Sequence, residues 1–299
     1  MSFRSGLRPI KRTMAHGVEQ LWRLSFGAAA CVIRPDTKRF TTTGVERVLV
    51  VAPHPDDEAI GCVGTVLLHV RSGERVCLAV ATDGRQSKVF ADPAQMALQR
   101  HREARNAAKL MQVERLELIG LPEGEWSVSQ LQAVLRALIE EVAPGVIYAP
   151  SRIDFHPEHF KVAHALALAL GEISAPRMND IRVRIYQVQV PLSPLMSNMV
   201  TDVSPVRSDY ETVLRAYESQ AGTIQCAYRQ RRYSAALHRI AGQAEEFWEI
   251  SAQRYAAVHA ESPERWPRVF RGLRNFPLSD PLAYLAGMNE RRKIQAMGC

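Results

Sequence analysis

From about residue 45 onward, the pattern of hydrophobic and polar positions switches repeatedly between two periods. Short runs rich in β-branched residues have the character of buried strands, and longer segments with apolar residues three or four positions apart have helical periodicity. The predicted strands are Val45–Val51, Arg75–Thr82, Arg115–Ile119, Val146–Ala149 and Ile181–Val190. The predicted helices are Glu58–Arg71, Pro93–Gln112, Val128–Val142, Pro157–Leu170, Arg207–Ser219 and Ala235–Ala256.

Strands that alternate with helices predict an α/β fold, because each crossover helix covers a face of a parallel sheet. We expect a Rossmann-like three-layer sandwich with a mostly parallel sheet and a functional site at the carboxyl ends of the strands. One domain over residues 45–260 accounts for this pattern, with appendages over 1–44 and 261–299. The composition, 46% hydrophobic and 23% charged, excludes a disordered or fibrous chain.

The net charge of +7 is concentrated at the two ends of the chain. Residues 1–40 hold eight Lys and Arg against Glu19 and Asp36, and residues 261–299 hold seven against four acids. A nucleic-acid enzyme would carry its basic stripe across the body, so we predict no nucleic-acid partner. Basic ends suit an anionic surface, either a membrane leaflet or a phosphorylated glycan. Solvated tails that aid solubility explain them equally well.

The five cysteines are scattered and form no CxxC pair, which argues against a disulfide framework and a cysteine zinc site. A reducing cytoplasm therefore suits the chain. No run of 18 apolar residues occurs, so we expect no membrane span. The predicted location is the cytoplasm. The basic ends add the hypothesis of peripheral contact with the inner face of the cytoplasmic membrane.

Two clusters of His and carboxylate residues lie at the ends of predicted strands. Residues 53–58 (PHPDDE) follow the first strand, and residues 154–159 (DFHPEH) follow the fourth. No glycine-rich nucleotide loop or serine-hydrolase elbow follows any strand. In a 3-2-1-4 strand order the first and fourth strands are neighbours, so the two clusters would face each other across one crevice. Alone, the acidic residues of the first cluster would be interpreted as helix capping and a His-Pro pair in a loop as having no function, so either cluster by itself would be structural.

Two histidines, one carboxylate and an open position are the donor set of a catalytic zinc site, and Fe²⁺ or Co²⁺ fits the same donors. Such a metal lowers the pKa of bound water to about 7. A second carboxylate beside the water would serve as a general base, and a further histidine would stabilise a developing oxyanion. The two clusters together contain all of these groups.

These residues resemble the PIG-L/LmbE-type zinc-dependent de-N-acetylase family. The first cluster is similar to the family motif (A/P)HPDDE and the second to DxHPDH. Further similarities span roughly residues 45–250. They are Thr82-Asp83-Gly84, the helix with Arg100 and Glu103, the turn Leu121-Pro122-Glu123-Gly124, and Ser219-Gln220.

The resemblance implies a role for each matching residue. His54, Asp57 and His159 would bind one zinc ion per chain. Asp56 would be the general base, and His156 would polarise the amide carbonyl. Arg100 and Asp83 would contact substrate, although an ion pair with Glu103 is an alternative for Arg100.

One departure from the family pattern is Glu158, where the motif has Asp. That carboxylate would orient the ring of His156 or tune its charge, as part of the catalytic set. Alternatively, it points to solvent.

The leading hypothesis is therefore hydrolysis of the N-acetyl group of an N-acetylglucosamine-like sugar, giving acetate and a free amine. The basic ends favour a lipid- or phosphate-linked carrier, such as an intermediate of a cell-envelope polysaccharide or lipopolysaccharide. An amidase acting on a thiol or xenobiotic conjugate would use the same site. The third hypothesis is a non-catalytic glycan- or membrane-binding protein on the same scaffold.

Overall fold

Eight strands form one sheet in the computed structural model, which describes residues 21, 24–31, 33–42, 46–87, 89–154, 156–193, 195–262 and 288–297. The strands are β1 (Lys38–Arg39), β2 (Arg47–Ala52), β3 (Arg75–Thr82), β4 (Arg115–Leu121), β5 (Val146–Ala149), β6 (Arg182–Ile185), β7 (Met199–Asp202) and β8 (Ala244–Ser251). The helices are α1 (residues 24–31), α2 (Asp57–Arg71), α3 (Pro93–Met111), α4 (Val128–Val142), α5 (Pro157–Gly171), α6 (Ala175–Asn179), α7 (Arg207–Arg215), α8 (Ala221–Leu237), α9 (Ala252–Val258) and α10 (Met288–Ala296).

The sheet is mixed but mostly parallel, in the order β1-β7-β8-β6-β5-β2-β3-β4. Only β8 runs antiparallel to its neighbours, β6 and β7, among the paired strands of the described chain. The predicted fold class is confirmed. The predicted neighbours β2 and β5 pair directly, with Val48 opposite Val146, so the loops that follow them leave the sheet side by side.

Helices cover both faces of the sheet, and the central parallel strand β2 is therefore buried on both sides. Val48 and Val50 belong to the apolar cluster with α2, α3 and α7, and Leu49 and Val51 belong to the cluster with α4, α5 and α9. A Cβ at Gly61 would lie 2.4 Å from Cδ2 of Tyr186. No larger residue fits there, so this glycine brings the first turns of α2 close to the sheet.

The predicted helix over Ala235–Ala256 is wrong, because Ala244–Ser251 forms β8. Two of its three acidic residues, Glu245 and Glu246, are buried and paired. Glu245 binds Arg231, and Glu246 accepts a hydrogen bond from Ser193. The strands β1 and β7 and the helix α8 were also not predicted.

The predicted strand Ile181–Val190 is too long, since β6 ends at Ile185. Beyond it, the backbone N–H groups of residues 188–190 turn towards one side chain. All three donate to Oδ1 of Asp154, at 3.4, 3.0 and 3.0 Å. The residues after β6 thereby form a wall of the candidate site described below.

The predicted boundaries of the domain, at 45 and 260, stay predictions. Lys38–Arg39 pairs with β7 at the edge of the sheet, and Ile294 of α10 is fully buried. Most of the basic residues that suggested two appendages, including Arg4, Arg8, Lys11 and Arg12, lie outside the described residues. No helix of the described part is long and apolar enough to cross a bilayer.

Candidate active site

The two histidine clusters meet at the carboxyl edge of the sheet, where β2 leads into α2 and β5 leads into α5. The ring centroids of His54 and His156 are 4.7 Å apart, and those of His54 and His159 are 5.3 Å apart. His156 is the N-cap of α5, and Pro157 at the first helical position is pre-organised for the helix. The parallel pairing of β2 with β5 therefore accounts for the convergence of residues so distant in sequence.

Asp57 connects the two clusters through one oxygen. Its Oδ2 lies 3.1 Å from Nδ1 of His54 and 3.1 Å from Nε2 of His159. It also accepts the backbone N–H of His54 at 2.8 Å, which fixes the loop between β2 and α2. Behind His159, Oδ2 of Asp154 lies 3.4 Å from Nδ1 and orients that ring.

The electrostatics of the cluster favour a bound cation. Burial would lower the pKa of His159, but the carboxylates of Asp57 and Asp154 outweigh it and raise the pKa to about 10. Burial would also lower the pKa of His54, but the adjacent carboxylates of Asp57 and Glu123 raise it to about 9. The pKa of Asp57 is held well below its usual range by His159 and His54, against the effect of burial. Each group thus favours positive charge between the rings, where protons and a metal would compete.

The donor atoms fit a metal ion in two combinations. One nitrogen from each of His54, His156 and His159 can be chosen so that all three lie within 4.8 Å of one another. The set implied by resemblance replaces His156 with Asp57, whose Oδ2 lies between the other two rings. In addition, Nε2 of His54 is buried without a hydrogen-bond partner, although Oε1 of Glu123 lies 3.2 Å away outside hydrogen-bond geometry. Imidazole and carboxylate donors of this kind suit zinc.

Asp56 lies beside Asp57 and is held by Arg100. Its carboxylate accepts from Nη2 of Arg100 at 2.9 Å and from Nη1 at 3.4 Å. Burial raises the pKa of Asp56 to about 6, although Arg100 opposes the shift. The backbone of Asp56 has φ 139°, a conformation that costs energy for any residue except glycine. Glu58 supports this conformation by accepting the Asp56 N–H at 3.2 Å.

Arg100 reaches Asp56 past Gly84. A Cβ at Gly84 would lie 2.7 Å from Nε of Arg100, and its φ of +66° also favours glycine. The alternative ion pair of Arg100 with Glu103 is not formed. Glu103 instead accepts the N–H and the hydroxyl of Ser219, at 2.9 and 2.7 Å. One helix face thus holds both Asp56 and the turn that carries Gln220.

His156 is half-buried, and its Nδ1 accepts the N–H of Glu158 at 3.3 Å. A neutral His156 therefore carries its proton on Nε2, as a hydrogen-bond donor. Burial, followed by the nearby His159 and His54, lowers its pKa to about 4. The side chain of Glu158 does not point to solvent, because it is buried and accepts the indole N–H of Trp126. Whether Glu158 tunes His156 stays a prediction.

Asp83 is buried near the site but does not line its cavity. Its Oδ2 accepts from Nε of Arg85 at 2.7 Å, and its Oδ1 accepts the N–H of Glu123 at 3.2 Å. It therefore positions the turn after β4, and its predicted substrate contact stays untested. The carboxylate of Glu123 accepts the N–H of Gln86 at 2.9 Å.

The cavity above these groups has a volume of about 260 Å³. Besides the predicted residues it is lined by several that sequence reasoning did not assign to the site: Gly84, Gln86, Ser87, Glu123, Val188, Gln189, Gln220 and Thr223. The Leu121–Gly124 turn and the Ser219-Gln220 pair were noted as similarities, which was the available signal for Glu123 and Gln220. Gln189 follows a strand whose end was misplaced.

The sheet and the His–carboxylate cluster define a class of α/β protein with a candidate metal-dependent hydrolytic site at the carboxyl edge. A family model described as PIG-L, GlcNAc-PI de-N-acetylase, matches residues 49–170. The chain is 31% identical over 188 residues to the protein named "Probable N-acetyl-alpha-D-glucosaminyl L-malate deacetylase 2" of Bacillus subtilis (strain 168), covering 58% of this chain and 83% of that protein. The chain therefore belongs to the PIG-L family of deacetylases.

A second relative and a solved structure are also deacetylases by name. Over 197 residues the chain is 27% identical to the diacetylchitobiose deacetylase of Thermococcus kodakarensis, covering 59% of this chain and 70% of that protein. The structure resembles that of the N,N'-diacetylchitobiose deacetylase from Pyrococcus horikoshii with a TM-score of 0.59 and 18% identity, over 70% of this chain and 85% of that one. The structural similarity supports the fold.

Proposed function

We propose that this chain is a zinc-dependent deacetylase that hydrolyses the N-acetyl group of an N-acetylglucosamine-like sugar, releasing acetate and a free amine. The observation that carries the proposal is the position of Asp57 Oδ2, 3.1 Å from both His54 and His159 and next to Asp56 in the chain. The relatives named above act on N-acetylated sugars according to their names, which supports the same substrate class here.

His54, Asp57 and His159 would hold the metal. The chemistry that a divalent metal supplies at such donors is polarisation of the acetyl carbonyl and activation of water at neutral pH. Asp56 would accept a proton from the attacking water as the new C–O bond forms, and Arg100 keeps its carboxylate oriented. His156 would donate from Nε2 to the developing oxyanion. The C–N bond then breaks, and the proton passes to the leaving amine.

The test is acetate release from acetylated amino sugars by the full chain loaded with zinc. We expect turnover by the wild type and a fall in kcat of about 10²- to 10⁴-fold for Asp56→Asn, the range for loss of a general base. Asn has nearly the same size and shape as Asp and keeps an oxygen for Arg100, so the variant should remain folded and retain its metal. Asp92→Asn, at the exposed N-cap of α3, is the matched control. Full activity in Asp56→Asn, or no acetate from any acetylated amino sugar, would contradict the proposal.

Contact with a phosphorylated carrier or an anionic membrane stays part of the proposal. Its support within the described residues is a cavity of about 250 Å³ lined by Arg34, Arg39 and Arg239, away from the histidine cluster. None of the three forms an ion pair with a described carboxylate. Binding to vesicles that contain phosphatidylglycerol should weaken in Arg239→Gln and with added salt. Equal binding to neutral vesicles would argue against this contact.

A further inference from the structure

A second cavity adjoins the candidate active site. Its volume is about 580 Å³, and it is lined by Arg85, Gln86, Ser87, Phe90, Ala91, Pro93, Glu123 and Glu125. Gln86, Ser87 and Glu123 also line the cavity above the histidines. A ligand whose acetamide lies over the histidines can therefore extend past these shared residues into the second cavity.

Phe90 supplies the apolar surface of this second cavity. Its side chain is 41% exposed, although it lies in the segment directly before α3 rather than on an open helix face. A single exposed aromatic residue is common on protein surfaces and needs no explanation by itself. Phe90 differs because it lines a cavity continuous with a candidate catalytic site. A flat aromatic ring offers a packing surface for the C–H face of a sugar ring.

Polar side chains line the second cavity together with Phe90. Gln86 is held by its side-chain hydrogen bond to the carbonyl of Glu123, at 3.0 Å. Glu125 is exposed, and its carboxylate forms no ion pair with a described residue. An apolar platform with a few convergent polar groups is the usual composition of a small-molecule site.

The charges of the second cavity argue against an anionic neighbour to the reacting sugar. Arg85 is the arginine in the described lining of this cavity and Arg100 lies in the lining of the first, and carboxylates hold both. Arg85 binds Asp83 at 2.6 Å and Arg100 binds Asp56 at 2.9 Å. Glu123 and Glu125 add negative charge to the second cavity. A carboxylate or phosphate placed there would find no free cation among the described residues and would be repelled.

We propose that Phe90, together with Gln86 and Glu125, forms a subsite for a second, neutral sugar ring that is joined to the acetylated sugar. This inference rests on the proposed function and names its substrate class as a neutral di- or oligosaccharide. The C–H face of the second ring packs on Phe90, and its hydroxyls hydrogen-bond to Gln86 and Glu125. A charged carrier, where present, lies farther along the glycan.

The test compares kcat/KM for N,N'-diacetylchitobiose with that for N-acetylglucosamine. We expect the wild type to favour the disaccharide and Phe90→Ala to lower the disaccharide-to-monosaccharide ratio about tenfold, since tenfold corresponds to about 1.4 kcal/mol of lost contact. Phe90→Tyr should restore most of the ratio, because it keeps the ring. Leu98→Ala removes an exposed apolar side chain of α3 and is the matched control.

Two results would overturn the inference. One is an unchanged ratio in Phe90→Ala. The other is faster turnover by the wild type of N-acetylglucosaminyl malate than of the disaccharide, since that substrate is anionic. If no acetylated sugar is turned over, the proposed function itself fails. Calorimetric binding of both sugars to wild type and Phe90→Ala then still decides the subsite, because binding requires no catalysis.

Discussion

Oδ2 of Asp57 lies 3.1 Å from Nε2 of His159, and this contact joins the loop after β2 to the helix after β5. The carboxylate is buried, and so is the ring. A pair of this kind, with His54 on the other side of the same oxygen, concentrates donors for a cation at one point of the sheet edge. The contact therefore unites two sequence clusters into one candidate site.

Metal content should depend on residues from both clusters. We expect about one zinc per chain in the wild type, as in a catalytic site with three protein ligands, and loss of most of it in His159→Ala. His101→Gln, which changes a half-buried histidine of α3, should retain the metal. The measurement is elemental analysis of protein purified without a metal-affinity tag. Equal metal content in all three proteins would contradict a shared site.

His156→Gln distinguishes the two donor sets. If Asp57 completes the set, as the resemblance implies, this variant keeps its metal and loses activity. If the three histidines form the set, it loses metal as His159→Ala does. We expect the first result, because Asp57 Oδ2 already lies 3.1 Å from both other histidines.

The meeting of the two clusters could be predicted once the general α/β order 3-2-1-4 was assumed for β2, β3, β4 and β5, and the sheet has this order in that part. Regular alternation fixes a parallel sheet, and parallel strands place all their carboxyl ends at one edge, so His54 and His159 had to be near each other once β2 and β5 were neighbours. The residues that shape the rest of the cavity could not be predicted in this way. Gln189 and Phe90 lie in irregular segments, where no periodicity reports the direction of a side chain.

β8 was missed for a different reason. Glu245 and Glu246 make a segment appear solvated when only the sequence is considered. Their charges are satisfied by Arg231 of α8, by His238 at the end of α8 and by Ser193 in the segment after β6, contacts that form only when these parts of the chain pack on β8. Tertiary pairing of this kind leaves no local signal. The function of Glu158 was open for the same reason, since its partner Trp126 lies in the turn after β4.

The contact between Trp126 and Glu158 should stabilise the start of α5. Trp126→Phe removes the only described side-chain donor to the carboxylate of Glu158, a residue that is 6% exposed. Because a buried acceptor is then left unsatisfied, we expect a loss of about 1–3 kcal/mol in the free energy of unfolding. Phe preserves the aromatic face over which Nζ of Lys161 lies, 4.1 Å from the ring centre. Urea unfolding of Trp126→Phe, Glu158→Gln and the double variant gives the coupling energy. Strictly additive losses would show that the hydrogen bond contributes nothing.

Glu245 should be important for stability because it holds α2 to β8 and α8. Its carboxylate accepts from the N–H groups of Gly64 and Thr65, at 3.0 and 2.8 Å, and binds Arg231 at 2.6 Å. Glu245→Gln leaves the fully buried Arg231 without its counter-charge, and we expect a loss of about 3–5 kcal/mol.

The matched control is Glu211→Gln, which breaks the exposed pair with Arg207 on α7. There we expect a change below about 0.5 kcal/mol. Chemical denaturation at neutral pH measures both. Similar small losses in the two variants would mean that the buried pair is not a principal support of α2.

Acid should destabilise the protein partly through His259, which is buried at the end of α9. Burial, with a smaller effect of Arg152, lowers the pKa of His259 to about 3. Its Nδ1 donates to the carbonyl of Tyr255 at 2.9 Å and its Nε2 accepts the backbone N–H of Arg152 at 3.4 Å, so the neutral ring is the form that fits. Tyr255 stacks on this ring, and His164 donates to the carbonyl of His259. A group whose pKa is lower in the folded state contributes stability that is present above its unfolded value of about 6.5 and is lost as the pH falls towards 3.

We therefore expect the difference in unfolding free energy between wild type and His259→Gln to be constant above pH 7. Between pH 6 and pH 4 it should shift against the wild type by about 1.4 kcal/mol per pH unit, because only the wild type must take up this proton on unfolding. His101→Gln serves as control and should give a flatter difference, since its ring is only half-buried. Urea titrations at several pH values measure these differences. A constant difference down to pH 4 would mean that His259 is protonated in the folded protein at little cost.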